Sequence, residues 1–166
     1  NGVLTGAADG GTIGSAKNYE NFELILDWKT EGEAAMGIRS IPQIALGGKN
    51  SGALTGNMLH DNAAPKAAAN GPQEWNTMQV KVVSDRVTVV LNGVTTAENV
   101  ILENACNREI PAYAEGQILL IAGNAPLNVR EMYIRELPAT PRFELSEEEA
   151  ADGFEVLFDG TSMHKW

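Results

Sequence analysis

Glu23 and Asp27 are two carboxylates in the run NFELILDWK, and both point to the same side of an extended segment. At about 3.3 Å per residue they stand roughly 13 Å apart. That is wider than the acid–nucleophile separation of glycosidases, so the pair reads as a solvated face. His60-Asp61 is the next chemical pair; it would bind a metal or polarise a hydroxyl, or simply face solvent. No second His or Cys stands at metal-ligand spacing, so neither a metal nor another cofactor is expected. Arg39 and Gln43 lie among apolar neighbours in AMGIRSIPQIAL. On a sheet face they would meet a ligand; otherwise they are a surface salt bridge and an edge position. Asn57 and His60 belong to a polar, Gly-, Ala- and Asn-rich stretch from Gly47 to Pro72, the kind of long loop that is functional or mobile. Arg39, Gln43, Asn57 and His60 form the candidate binding set. Cys106, the sole cysteine, permits no internal disulfide. Without an adjacent histidine it reads as an unreactive structural thiol.

These groups need strands to position them. Met78, Val80 and Val82 alternate with Gln79, Lys81 and Val83, and Val87, Val89 and Leu91 alternate with Thr88 and Val90. This is the period of two that marks a strand with one face in a core. Ser84-Asp85 closes one tight hairpin. Asn92-Gly93 closes a second, both residues tolerating the positive φ of a type I′ turn. Trp75, just ahead, reads as a core or rim aromatic rather than a sugar platform. Phe22, Leu24, Leu26 and Trp28 share one face of a further strand. Val3–Thr5, Gly37–Arg39, Gln43–Leu46, Gly116–Ile121 and Leu127–Leu137 complete the set, and a phase shift near Arg130-Glu131 predicts a β-bulge. Asn99 to Glu115 shows no period and reads as a connection. The glycines of residues 1–15 precede a strand rather than a helix, so they serve turns rather than a phosphate cradle.

After Pro138–Pro141 the chain changes character. Ser146 and Glu149 form a capping box, predicting a short helix between Ser146 and Asp152 that stops at Gly153. Phe154–Phe158 then reads as one more strand, which needs a sheet to join.

Net charge is −10, from 12 Lys and Arg against 22 Asp and Glu. No basic stripe exists for nucleic acid, and no apolar run approaches a membrane span. No signal peptide is recognisable.

The motifs NGVLTG at Asn1, YENFELILDWK at Tyr19, MGIRSIPQIAL at Met36, SGALTGN at Ser51, EWNTMQVKV at Glu74, VTVVLNGV at Val87 and VREMYIREL at Val129 occur in one order across residues 1–137. In that order the chain resembles the 3-keto-disaccharide hydrolase domain family. The resemblance implies an all-β, two-sheet antiparallel jelly-roll sandwich of concanavalin-like type, a periplasmic or secreted location, and a carbohydrate or glycoside ligand. Implied boundaries are a jelly-roll body over 1–137, a helical linker over 138–152 and a strand over 153–166. GFEVLFDGTSMHKW, from Gly153, is similar to the family's opening strand, which implies completion of a jelly roll in cis or by exchange with a second domain or chain. Departures from the family pattern are Ile41, where members carry an acid, Thr55 in place of a tyrosine, and IAGNAP without a histidine. The implied activity is hydrolysis or elimination at a 3-keto-glycoside, with Glu20, Glu23, His60 and Asp61 the only nominees for a base. The alternative is a non-catalytic carbohydrate-binding or accessory domain.

Overall fold

A computed structural model describes residues 2–55, 68–104, 106–107 and 110–159. The fold is a two-sheet antiparallel jelly-roll sandwich. Eleven strands are present among the described residues: β1 (Leu4–Gly6), β2 (Thr12–Gly14), β3 (Phe22–Lys29), β4 (Ala34–Gly37), β5 (Gln43–Leu46), β6 (Leu54–Thr55), β7 (Asn76–Val83), β8 (Arg86–Leu91), β9 (Val94–Ile101), β10 (Leu119–Ala122) and β11 (Leu127–Glu136). The six-stranded sheet runs β1-β11-β3-β7-β8-β9 and the five-stranded sheet runs β2-β10-β4-β5-β6.

Period-two patterning sets the core. Phe22, Leu24, Leu26 and Trp28 of β3, with Met78, Val80 and Val82 of β7, are buried on the inner side of the six-stranded sheet. Met36, Ile44, Leu46, Leu54 and Leu120 meet them from the five-stranded sheet. Fully burying side chains of this size contributes about 1.5–3 kcal/mol each, which is why one residue of register slip is not tolerated.

The turns follow the sequence. Val83 pairs with Arg86 across Ser84-Asp85, with Ser84 at φ 54°. Leu91 pairs with Val94 across Asn92 and Gly93, at φ 50° and 81°, as a type I′ turn requires. Asn92 is also a clamp. Its Oδ1 accepts the Thr77 N–H at 2.8 Å and its Nδ2 donates to the Ala68 carbonyl at 2.9 Å. The register of β11 against β3 shifts between Arg130 and Tyr133, with Glu131 at φ 49°, giving the bulge.

Four expectations change. β2 and β6 are short strands inside segments that the sequence presents as glycine-rich or polar loop. β9 runs on to Ile101, three residues into the stretch read as connection. The strand expected at Gly37–Arg39 ends at Gly37. Phe154–Phe158, expected as a strand, is irregular and pairs with neither sheet among the described residues; the rest of the expected strand segment, residues 160–166, lies outside them. The Phe143 N–H instead donates to the Asp159 carbonyl at 2.8 Å, folding residues 143–159 into a closed excursion. Within it lies α1 (Glu147–Ala151), with Ser146 and Glu149 making both halves of the capping box. No helix among the described residues is long and apolar enough to cross a membrane.

Candidate functional site

Alternation that buries one face of the five-stranded sheet frees the other. Ala35, Gln43, Ala45, Thr55, Leu119 and Ile121 alternate with buried residues and are half-buried on the outer side. Register lines them up in two transverse rows. One is Gly14–Leu119–Gly37–Gln43–Thr55, crossing all five strands. The other is Thr12–Ile121–Ala35–Ala45, crossing four. Glycine and alanine supply most of the small positions on these rows. A Cβ on Gly37 would come within 3.1 Å of Leu119 Cβ and 3.2 Å of the Ser40 carbonyl, so the Leu119 side chain and that carbonyl already occupy the ground a larger residue would need.

Polar groups gather where the β4–β5 turn meets this face. Thr55 Oγ1 donates to the Gln43 carbonyl at 3.3 Å. Gln117 Nε2 donates to the Ser15 carbonyl at 2.8 Å, and its Oε1 would lie 3.2 Å from a Cβ on Gly14. The two rows contain no titratable side chain. Their chemistry is that of amides, a hydroxyl and an aliphatic surface, suited to sugar hydroxyls and to the apolar side of a ring.

Arg39 does not lie on this face. It is 2% exposed and left-handed at φ 49°, followed by Ser40 at φ 77°, so the chain leaves the sheet before reaching it. Its guanidinium turns inward and spends five N–H donors. Nε and Nη2 donate to the Glu20 carbonyl, Nη1 to the carbonyls of Ser84 (2.6 Å) and Tyr113 (3.3 Å), and Nη2 also to Asn21 Oδ1 (3.3 Å). Burial pushes its pKa down to about 10, with Glu20 opposing the shift, and it is a cation at neutral pH. Both a place on a strand face and a surface salt bridge are therefore corrected: with its donors taken up by the carbonyls of Glu20, Ser84 and Tyr113 and by Asn21 Oδ1, Arg39 is a structural junction. Gly116 packs against its backbone, where a Cβ would come within 2.6 Å of the Arg39 carbonyl. The junction extends through Asn21, whose Nδ2 donates to the Pro138 carbonyl (2.7 Å) and Thr140 Oγ1 (2.9 Å). Glu20 Oε1 accepts the Thr140 N–H at 3.1 Å and Arg142 Nη2 at 3.3 Å. Residues 138–142 are thus tied to the sandwich.

Gln43 does lie on the outer face. Asn57 and His60, with Asp61, fall outside the described residues. Glu20 is held in the junction. Glu23 lies on the outer side of the other sheet, paired with Glu–Arg and Glu–Lys contacts to Arg135 and to Lys81 (3.4 Å). These hold its carboxyl below the usual glutamate range, Arg135 most strongly. Neither Glu20 nor Glu23 is placed to act as a base beside Gln43. No group of three His, Cys, Asp or Glu that would hold a metal occurs among the described residues. Sequence reading missed Thr55 and Gln117 on the face. The signal for Thr55 was its alternation with Leu54; Gln117 had none.

A family model described as a 3-keto-alpha-glucoside-1,2-lyase-like domain matches residues 1–135. The chain belongs to that family. Solved structures share the fold of this lyase-like domain. One, a candidate glycosyl hydrolase from Parabacteroides distasonis, is 23% identical with a TM-score of 0.65, covering 82% of this chain and 88% of its own. A second candidate glycosyl hydrolase from the same organism is 16% identical with a TM-score of 0.61, over 82% of this chain and 81% of its own. The carbohydrate-binding module CBM66 from Bacillus subtilis is 16% identical with a TM-score of 0.59, over 80% of this chain and 86% of its own. No curated protein matches this chain.

Proposed function

We propose that the chain is a carbohydrate-binding domain built on the lyase-like scaffold, and that it holds a glycoside on the outer face of the five-stranded sheet. The observation that carries this reading is the composition of the two transverse rows: small, uncharged residues with Gln43 and Thr55 at one end. Amide and hydroxyl groups orient sugar hydroxyls, and the Leu119 side chain supplies an apolar surface for the ring. Structural likeness to a carbohydrate-binding module is consistent with this use of the fold. In keeping with the family resemblance, a periplasmic or secreted location is part of the proposal.

A second reading, hydrolysis or elimination at a 3-keto-glycoside, is favoured by the family model itself. The C3 ketone acidifies the proton on C2. A base removes that proton, its electron pair forms the C1–C2 double bond, and the aglycone leaves C1 with a proton. Addition of water then completes a net hydrolysis. Such a step needs a titratable group within reach of the substrate. His60 and Asp61, which follow Thr55 by five and six residues in sequence, are the nominees outside the described residues.

Titration calorimetry with a glycoside and its 3-keto form, together with an assay for released aglycone, separates the two. The binding reading expects a titratable heat, no aglycone, and affinity about five- to tenfold weaker in Gln43→Ala, the worth of one hydrogen bond. Aglycone release abolished by His60→Ala would establish the enzyme. Binding unaffected by Gln43→Ala would overturn the assignment of this face.

A further inference from the structure

The outer face of the six-stranded sheet carries a second constellation of groups. Register places Asn128 beside Lys29, Arg130 beside Asp27 and Thr77, and Tyr133 beside Ile25 and Gln79. The next row is Arg135, Glu23 and Lys81. Four cations (Lys29, Lys81, Arg130 and Arg135) therefore face two anions (Glu23 and Asp27) in a chain whose net charge is −10. Arg135 and Lys81 are both paired with Glu23, so the excess cation sits at the other end, around Trp75.

Trp75 is half-buried at the start of β7 and organises that end. Lys29 Nζ lies 4.9 Å from the ring centroid and Arg130 Cζ 4.0 Å from it. Cation–π contact of this kind is attractive, through the negative face of the ring. It holds the two cations beside one aromatic plane, against their mutual repulsion. Arg130 is fixed further: Nε and Nη2 both donate to Asp27 Oδ2 at 3.2 Å, and Thr77 Oγ1 donates to Asp27 Oδ1 at 2.7 Å. The neighbouring Glu74 is turned away, its Oε2 accepting the Gly71 N–H at 2.9 Å. Of the two cations beside Trp75, Asp27 therefore pairs with Arg130 alone. The Nη1 of Arg130 and the ammonium of Lys29 meet no carboxylate among the described residues. One row along, Tyr133 is 63% exposed. The Arg130–Asp27 and Tyr133–Ile25 pairs are two residues apart on β3, roughly 6.6 Å by strand rise.

We propose that this face is a second binding site, whose ligand is an acidic polysaccharide of uronate type. A uronate carboxylate bridges Lys29 Nζ and Arg130 Nη1, and the adjoining sugar ring lies on Tyr133. A guanidinium with one edge locked on Asp27 presents its remaining donors in a fixed plane, which suits a planar carboxylate better than a tetrahedral sulfate. At about 0.1 M salt the Debye length is ~10 Å, so the local cations rather than the acidic remainder of the molecule set the sign of the interaction. Trp75 acts through the cations it holds and does not itself stack on sugar.

Affinity electrophoresis of the full chain tests this, in gels holding polygalacturonate, dextran sulfate or neutral dextran, with calorimetry on an oligogalacturonide. Polygalacturonate retards the protein and dextran does not. Lys29→Gln and Arg130→Lys each weaken oligogalacturonide binding about tenfold, the loss of one charge-assisted hydrogen bond. Tyr133→Ala weakens it by a smaller factor, and Gln43→Ala, on the opposite face, leaves it unchanged. Thermal melts of Lys29→Gln and Tyr133→Ala match the parent, which separates lost binding from lost folding. Absence of retardation, retardation undiminished in the Lys29→Gln and Arg130→Lys proteins, or retardation by dextran sulfate or dextran alone overturns the proposal.

Discussion

The two sheets present the same chemistry to each other and opposite chemistry to the outside. Inward, both are aliphatic. Outward, the five-stranded sheet shows glycine, alanine, leucine, an amide and a hydroxyl, while the six-stranded sheet shows ion pairs, a tryptophan in contact with two cations and an exposed tyrosine. The inner faces must interdigitate at core density, so they have little freedom. The outer faces carry no such duty, and recognition can be placed there without disturbing the core. Of the titratable nominees for catalysis within the described residues, Glu23 falls on the charged face and Glu20 in the junction between turns, neither on the small-residue face.

The largest expected effect breaks the frame shared by both faces. Arg39→Met leaves the carbonyls of Glu20, Ser84 and Tyr113 and the buried Asn21 Oδ1 without the donors that Arg39 supplies. Unfolding in urea should show a loss of about 3–5 kcal/mol at unchanged m-value, with binding on both faces weakened together. A loss under about 1 kcal/mol would mean that Arg39 does not hold the β4–β5 turn. Next, Gly37→Leu forces a large side chain into the middle of the row that crosses the five-stranded face. The added side chain collides with Leu119 and the Ser40 carbonyl, so we expect about 1–3 kcal/mol of destabilisation and loss of glycoside binding, with polygalacturonate binding retained. Gln43→Ala is gentler, with stability within about 0.5 kcal/mol of the parent and glycoside affinity down five- to tenfold.

The smallest effect distinguishes the faces by pH. Glu23 is held below its ordinary pKa by Arg135 and then Lys81. A carboxyl whose folded pKa is lowered stabilises the fold above its unfolded pKa, and that contribution is lost as pH falls through the lowered range. Glu23→Gln should therefore shift the urea midpoint slightly at pH 7 and not at pH 2–3. The five-stranded face offers no titrating side chain in its rows, and Gln43→Ala should shift the midpoint equally at both pH values. A pH-dependent Gln43→Ala effect would place a titrating group beside that residue.

Much of this was legible in the residue string. Asn92-Gly93 declared its turn because few pairs tolerate two successive positive φ values. Phe22 to Trp28 and Met78 to Val82 declared their inner faces by alternation. Ser146 with Glu149 declared a helix start, since each side chain satisfies a backbone N–H of the other's turn. These are local properties, written within a few residues. β2 and β6 were not legible, being three and two residues long, too short to show a period. Phe154–Phe158 alternates as a strand does, yet a strand exists only where an edge receives it, and the excursion closed by Phe143 and Asp159 sends it elsewhere.

Local pattern alone therefore determined which side chains are apolar inward, where hairpins close and that the chain forms an all-β sandwich. Tertiary structure alone decided the rest. Register across five strands assembled Gly14, Leu119, Gly37, Gln43 and Thr55 into one row from segments up to 105 residues apart. Two left-handed residues turned Arg39 from a sheet face into a buried junction, because carbonyls from three distant segments converge there and a guanidinium has enough donors to satisfy them all.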